Sequence, residues 1–220
     1  MRTKLILATT AGIPVIFAAY VAFYPGRAVA EPRMPKLIAS GPIKASGSYT
    51  LDTSHTTAGF DIVHMGLSQV HGRFTGFSGT LVDDATDVTK GSVSFTIQTS
   101  TIDTAIAPRD HHLSSPDFFD VEKYPTITFK STKVAKHGDH YVVTGDLTIK
   151  DVTKQISIPF KHYGPIMDPY GSTRVGVVAD PITIKRSDYH VAWNQKLGDG
   201  TPVVADDVSI KLSLEATLDK

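Results

Sequence analysis

Histidine is the residue type in this chain that most invites a chemical interpretation. Nine histidines occur among 220 residues, and neutral imidazole is a common ligand of zinc and copper. His64 and His71 lie on either side of a predicted turn, and His111 and His112 are adjacent, so the last two side chains point in different directions on a strand or helix. No H-E-x-x-H run occurs. We therefore predict no metal site, and a His-dependent periplasmic metal-binding protein or enzyme is kept as an alternative.

The sequence also lacks the motifs that indicate catalysis. It has no G-x-S-x-G nucleophile elbow and no glycine-rich phosphate loop. It has no cysteine, which excludes thiolate catalysis, disulfides and cysteine-ligated metals. Asp61, His64 and Ser54 come nearest to a catalytic set, but strand alternation puts Asp61 on the face opposite His64. We predict that the protein is not an enzyme and has no cofactor.

The charges of the chain balance. There are 22 Lys plus Arg and 22 Asp plus Glu, so the formal net charge is zero. A nucleic-acid binder needs a basic face for the phosphates, and we therefore expect no nucleic-acid partner. Hydrophobic residues make up 41% of the chain, which is typical of a globular domain rather than a disordered one.

The first thirty residues differ in kind from the rest. Arg2 and Lys4 precede an uncharged run over residues 5–24, and Ala28-Val29-Ala30 follows as a small-x-small cleavage signal. This pattern predicts a signal peptide over residues 1–30. The alternative is an uncleaved N-terminal anchor, since a run of this length can span a bilayer. In both cases we expect a periplasmic or secreted protein, with residues 31–48 as a proline- and glycine-rich linker.

From Tyr49 onward, apolar and polar residues alternate with a period of two. Apolar residues stand at every second position from Val208 to Ala216, for example. Such alternation is typical of antiparallel strands with one buried face. Turn-forming residues separate about eight such stretches, and a short helical insert is predicted near Arg109–Phe119. Periodicity leaves barrel and sandwich open, although closing the sheet would remove hazardous open edges.

Three segments resemble the YceI-like family, also called the polyisoprenoid-binding periplasmic family. They run from Tyr49 to Gly79, from Thr99 to Thr132 and from Gly145 to Phe160. The middle segment is the most specific, because Arg-Asp-x-His-Leu, Asp-Phe-Phe-Asp and Tyr-Pro-x-Ile-x-Phe occur in order at the family's spacing. The resemblance implies an all-β fold over residues 49–220: an extended eight-stranded antiparallel lipocalin-like barrel with one short helical insert, around a long apolar tunnel.

The resemblance also implies a function. It implies an exported lipid-binding protein that sequesters or carries a long-chain isoprenoid, either a polyprenyl phosphate or an isoprenoid quinone. Members are often dimeric, so a homodimer is a further expectation. Membrane contact is expected through an uncleaved leader or during ligand exchange. The remaining alternative is a ligand-free barrel that acts as a protein-interaction module.

This chain departs from the family pattern at three positions. Thr56 stands where the family usually has serine after the first histidine. Asp151 and His190 stand where it usually has glycine. Because glycine tolerates positive φ and histidine rarely adopts it, residue 190 tests whether the family's backbone geometry is kept there.

An isoprenoid tail needs a dry, elongated cavity, and the inward faces of the predicted strands supply its candidate wall. Large apolar and aromatic residues from several strands and from the helical insert share that role, with a solid, fully packed core as the alternative. The predicted wall residues are Phe60, Ile62, His64, Phe74, Phe77, Val93, Phe95, Ile97, Phe118, Phe119, Ile127, Phe129 and Trp193.

The polar end of the ligand has fewer candidates. Arg109, His111 and His112 are the predicted head-group residues, with Arg73 and Lys150 as further cations. A phosphate would favour arginine, which pairs bidentately, whereas a quinone needs only a hydrogen-bond donor such as histidine. For Arg109 the alternative is a structural ion pair with the adjacent Asp110 that pins the helical insert.

Overall fold

The computed structural model describes residue 43 and residues 45–220. The predicted signal peptide (1–30) and most of the predicted linker (31–48) lie outside the described residues. The first strand begins at Gly47, so the last two positions assigned to the linker belong to the sheet. Within the described residues the chain forms β1 (Gly47–Leu51), β2 (Thr57–His64), β3 (Ser68–Phe74), β4 (Phe77–Asp83), β5 (Ser92–Gln98), β6 (Ile102–Asp103), α1 (Ala107–Ser114), β7 (Thr126–His137), β8 (His140–Ile149), β9 (Val152–Met167), β10 (Thr173–Ala179), β11 (Ile182–Lys185) and β12 (Val204–Leu218).

These twelve strands combine into the eight long strands of one antiparallel barrel. β1 and β2 follow one another along the same side of β12, and β10 and β11 follow one another along its other side. In the same way β4 and β3 pair with β1 and β2, while β5 and β6 pair with β4 and β3. Short irregular stretches such as residues 52–56 and 180–181 therefore interrupt long strands without changing their order.

The sheet closes because its first strand pairs with its last. Tyr49 of β1 lies opposite Leu218 of β12. All other neighbours among the eight long strands follow one another along the chain. This confirms the predicted eight-stranded antiparallel barrel and decides between barrel and sandwich. One helix, α1, is inserted between β6 and β7, as predicted, and it starts with Pro108 in its first turn, where a missing N–H costs nothing.

The two-residue alternation puts apolar side chains inside the barrel. On β5, Phe95 and Ile97 are buried while Ser94 and Gln98 are exposed. On β7, Ile127 and Phe129 face the same interior. The inner face of the barrel is therefore apolar all the way round, as expected when every second residue of each strand is apolar.

An ion network fastens the seam of the barrel at one end. Nη1 of Arg174, on β10, donates to Asp52 Oδ2 at 2.6 Å and to Glu215 Oε1 at 2.7 Å, and its Nε donates to Asp168 Oδ2 at 2.6 Å. These bonds hold the pKa of Asp52 well below the usual carboxyl range, and they also lower the pKa of Asp168. Arg174 thus ties together β10, β12 and the connection after β1.

Replacing Arg174 tests this seam. Arg174→Met is expected to lower the free energy of unfolding by about 1–2 kcal/mol at neutral pH, after allowance for partial solvent screening. Since the folded-state pKa values of Asp52 and Asp168 are lowered, their contribution is present above the unfolded pKa of about 4 and is lost as pH falls. Urea unfolding at pH 7 and pH 3 should show the difference from wild type shrinking at the lower pH.

Arg73→Met is the control, because the Arg73–Asp103 pair lies on the surface, with side chains 67% and 35% exposed. It should lower the free energy of unfolding by less than Arg174→Met does, because solvent screens an exposed ion pair. Equal costs for the two substitutions, or a cost at Arg174 that does not depend on pH, would contradict a seam held by this network.

Candidate functional site

An apolar cavity of about 430 Å³ lies inside the barrel. Its volume falls within the range of small-molecule and lipid pockets. Its lining includes Ile97 and Ile127, close to α1, and also Asp83 and Val93 at the far ends of their strands. We call the end near α1 the helix end and the end near Asp83 the opposite end.

The predicted wall residues, apart from Phe77, line this cavity. Phe77 lies on the same inner face as its cross-strand partner Ile97, but it stacks on Phe95, with ring centroids 5.6 Å apart, and does not reach the cavity surface. The residues that the structure brings together on the cavity surface are Phe60, Ile62, His64, Phe74, Val93, Phe95, Ile97, Phe118, Phe119, Ile127, Phe129 and Trp193. Their part in ligand binding stays a prediction.

Aromatic rings cluster at the helix end. His112, Phe118 and Trp193 all line the cavity, and their ring centroids lie between 5.0 and 5.2 Å apart. His112 Nε2 also forms a 2.8 Å hydrogen bond with Asp117 Oδ2. Edge-to-face contacts of this kind fix the rings relative to one another. They bring together the segment after α1 and the segment before β12.

The structure places two of the three predicted head-group residues on the cavity surface, and their part in ligand binding stays a prediction. Arg109 and His112 line the cavity, but His111 does not. Arg109 donates from Nε and Nη2 to the hydroxyl and the carbonyl of Thr104, at 2.8 and 2.7 Å. Asp110 accepts from the amide and the hydroxyl of the same Thr104. Arg109 and Asp110 therefore pin the helical insert through the buried Thr104 between them, not through the direct ion pair that was considered.

The two further cations are also engaged. Arg73 pairs with Asp103 on the outer surface. The Lys150 ammonium donates to the carbonyls of Phe118 and His190, at 2.9 and 3.1 Å. Lys150 thus joins the segment that carries Phe118 to the turn that ends at His190.

Sequence reasoning missed a buried arginine at the helix end. Arg186 is only 7% exposed and lines the cavity. Its Nη1 donates to the carbonyls of Val191 and Trp193, at 2.7 and 2.8 Å. Its Nε donates to the carbonyl of Ala205 at 2.9 Å, and burial lowers the pKa of the guanidinium. Arg186 lies in a 3₁₀ turn after β11, where no two-residue alternation marks a side chain as inward-facing.

Sequence reasoning also missed two polar residues at the opposite end. Asp83 and His162 both line the cavity, and Asp83 Oδ2 lies 3.3 Å from His162 Nε2. The signal for His162 was present, because it continues the inward-facing series Ile156, Ile158, Phe160 along β9. The adjacent acidic residues Asp83 and Asp84 are typical of a turn, but Asp83 is the last, buried residue of β4.

His71, on the outer surface, is held by a carboxylate. Asp61 bonds His71 Nδ1 at 2.6 Å and also contacts Lys211, whereas His64 faces the cavity. Asp61 and His64 thus lie on opposite faces of β2, as alternation requires.

Among the described residues, one cluster of three side chains has the residue types that bind metal ions. Asp52, His55 and Glu215 have ligand atoms within 4.8 Å of one another. Arg174 already donates to oxygens of Asp52 and Glu215. The arrangement is therefore accounted for by the ion network at the seam.

His190 and Asp151, two residues that depart from the family pattern, contact each other. His190 takes up a left-handed backbone with φ 57° and ψ 23°, so the positive φ is kept without glycine. Its Nδ1 lies 3.0 Å from Asp151 Oδ1, and its carbonyl accepts from Lys150. These side-chain contacts offset the cost of placing a Cβ in this conformation.

The chain was compared with known families and proteins. The family described as "YceI-like domain" matches residues 49–216. Protein YceI of Escherichia coli O157:H7 is 38% identical over 157 residues, which are 70% of this chain and 82% of that protein. Among the described residues, no helix is both long enough and apolar enough to cross a membrane.

Solved structures show the same barrel. Burkholderia cenocepacia BcnA matches with a TM-score of 0.66 and 27% identity, covering 76% of this chain and 99% of that one. A polyisoprenoid binding domain from Saccharophagus degradans matches with a TM-score of 0.58 and 18% identity, covering 78% and 98%, and this second likeness concerns the fold alone. The match across nearly the whole barrel and the identity to its relatives establish that this protein belongs to the YceI-like family.

Proposed function

We propose that this protein binds a long-chain isoprenoid in the barrel cavity and sequesters or carries it outside the cytoplasm. The observation that carries the proposal is the apolar cavity of about 430 Å³ that extends between the two ends of the strands. Support comes from membership of the YceI-like family and from the fold shared with a domain named for polyisoprenoid binding. A polyprenyl phosphate and an isoprenoid quinone both have the required tail.

The energetics favour a hydrocarbon tail as the main contact. Each buried methylene contributes about 0.8 kcal/mol, so a few isoprene units supply a large gross driving force without any charge. Ordering a flexible tail costs entropy, which keeps the net affinity far below that sum. A wall of aliphatic and aromatic side chains is therefore sufficient to retain the ligand, and the length of the cavity limits the length of tail that it covers.

The cavity is better suited to binding than to catalysis. Its titratable side chains are separated, with His64, Arg109, His112 and Arg186 at the helix end and Asp83 and His162 at the opposite end. Arg109, His112 and Arg186 already bond other groups of the protein. We propose a carrier or sequestering protein, and we assign no catalytic residue.

Filling the cavity from one strand tests the proposal. Ala179 of β10 lines the cavity, and the adjacent Val178 is 37% exposed on the other face. Ala179→Phe should reduce copurifying isoprenoid to about a tenth of the wild-type amount, because the new ring occupies the volume that the tail needs. Val178→Phe, the control, should leave it unchanged. The measurement is native mass spectrometry of protein purified without detergent.

The same spectra separate the alternatives. An isoprenoid mass at about one per barrel supports the proposal, and equal loading of Ala179→Phe and Val178→Phe would show that the lipid binds elsewhere. A wild-type barrel recovered without lipid and unable to take up added geranylgeraniol would overturn the proposal and favour an interaction module. The mass of the intact species in the same spectra shows whether the protein is the predicted homodimer.

The proposal that the protein is exported rests on the N-terminal signal pattern, and we propose that the signal peptide is cleaved after Ala30. Protein recovered from the periplasm of an expressing bacterium should then begin at Glu31, which intact-mass measurement detects. Ala30→Leu should leave most of the protein at full length, because the processing site requires a small residue there. Ala19→Leu, within the uncharged run, should be cleaved normally. A wild-type protein that keeps residues 1–30 would indicate the anchor instead.

A further inference from the structure

Asp83 and His162 form a polar pair in the wall of an otherwise apolar cavity. Their side chains are only 3% and 10% exposed. Although Asp83 Oδ2 and His162 Nε2 are 3.3 Å apart, neither atom has a hydrogen-bond partner of good geometry among the described residues. Buried polar atoms in folded proteins nearly always have partners, so a pair without them requires an explanation.

The surroundings of the pair do not complete it. Tyr49 is fully buried close by, but its hydroxyl donates to the carbonyl of Ala45 at 2.5 Å. Burial, together with the charge of Asp83, raises the pKa of Tyr49. Within the described part of the chain, His162 is the only basic side chain within 4 Å of the Asp83 carboxylate. The Asp83 carboxylate thus has no arginine or lysine to balance it.

The helix end is different, because its two arginines and His112 already bond groups of the protein, although His64 also lines the cavity there. The Arg186 guanidinium donates to carbonyls of the chain, and two of the Arg109 nitrogens are bound to Thr104. His112 bonds Asp117. Polar atoms without partners therefore lie at the opposite end of the cavity, where they can meet one end of an elongated ligand.

We propose that Asp83 and His162 recognise the polar group of the bound lipid, and that this group is uncharged and both donates and accepts a hydrogen bond. An alcohol, a quinol or an amide has this chemistry. A hydroxyl can donate to Asp83 Oδ2 and accept from His162 Nε2–H, and a single oxygen can lie about 2.8 Å from both because the two atoms are only 3.3 Å apart. This inference rests on the proposed function, since it assigns the end of the cavity that holds the head group.

The same pair disfavours two other head groups. A phosphate is negatively charged and offers acceptors, so it would be repelled by the Asp83 carboxylate in a medium of low dielectric constant. An oxidised quinone offers only carbonyl acceptors, which would satisfy His162 and leave Asp83 without a donor. The tail would then extend towards the aromatic rings of Phe118 and Trp193 at the helix end.

The test compares ligands with similar tails and different ends. The probes are geranylgeraniol, geranylgeranyl phosphate and phytane, a branched hydrocarbon without a head group. Binding to protein expressed from the full chain and stripped of lipid is followed by the fluorescence of Trp193, the single tryptophan of the chain. Wild type should bind the alcohol about tenfold more tightly than either the phosphate or phytane.

Two carboxylate substitutions then locate the preference. Asp83→Asn keeps the shape and removes the charge, so it should lower the alcohol-to-phosphate ratio about tenfold. Asp84→Asn is the control, because Asp84 accepts hydrogen bonds from Thr86 in the turn outside the cavity. It should leave the ratio unchanged. Circular dichroism checks that both variants are folded, and the wild-type ratio tests the inference even if Asp83→Asn fails to fold.

The outcomes separate this inference from the proposed function. Binding of the phosphate or of phytane as tightly as the alcohol would overturn the head-group inference while leaving lipid binding intact. Equal ratios for folded Asp83→Asn and Asp84→Asn would also overturn it. If none of the three probes binds to wild type, the proposed function itself fails.

Discussion

The pairing of β1 with β12 is the constraint on which the rest of the molecule depends. Together with the pairing of β2 with β12 it closes the sheet, so the inward-facing side chains of all eight long strands meet the same interior. The Arg174 network reinforces the closure by joining β10 and β12 to the connection after β1. The apolar inner face and the cavity that it encloses both follow from this closed geometry.

The interior of such a barrel stays hollow only if its large side chains do not cross it. Two inward-facing glycines make room for rings that lie against the wall. A Cβ at Gly72 would come within 2.2 Å of the Phe60 ring, and a Cβ at Gly145 within 2.5 Å of the Phe129 ring. Each ring covers the glycine of the neighbouring strand instead of extending to the far side. The pairing of a large residue with glycine across strands therefore helps to preserve the cavity.

Most of the barrel could be predicted from the sequence, because two-residue alternation follows directly from strand geometry. Interruptions such as residues 52–56 could not, since a break in a long strand and a turn between two strands look alike in sequence. The same limit applies to Asp83, which ends a strand but stands beside turn residues. The roles of Arg109 and Asp110 depend on Thr104, a partner that neither spacing nor residue type identifies.

The two ends of the cavity differ in how their polar groups are used. At the helix end, arginines and a histidine are bonded to the protein itself, which leaves an aromatic rim as the surface towards the cavity. At the opposite end, Asp83 Oδ2 and His162 Nε2 have no hydrogen-bond partner within the part of the chain that the structure describes. An amphiphile has one polar end, and its free energy is lowest when that end lies where unsatisfied polar atoms are found. A difference between the ends, rather than any single contact along the tail, would thus fix the direction in which a ligand lies.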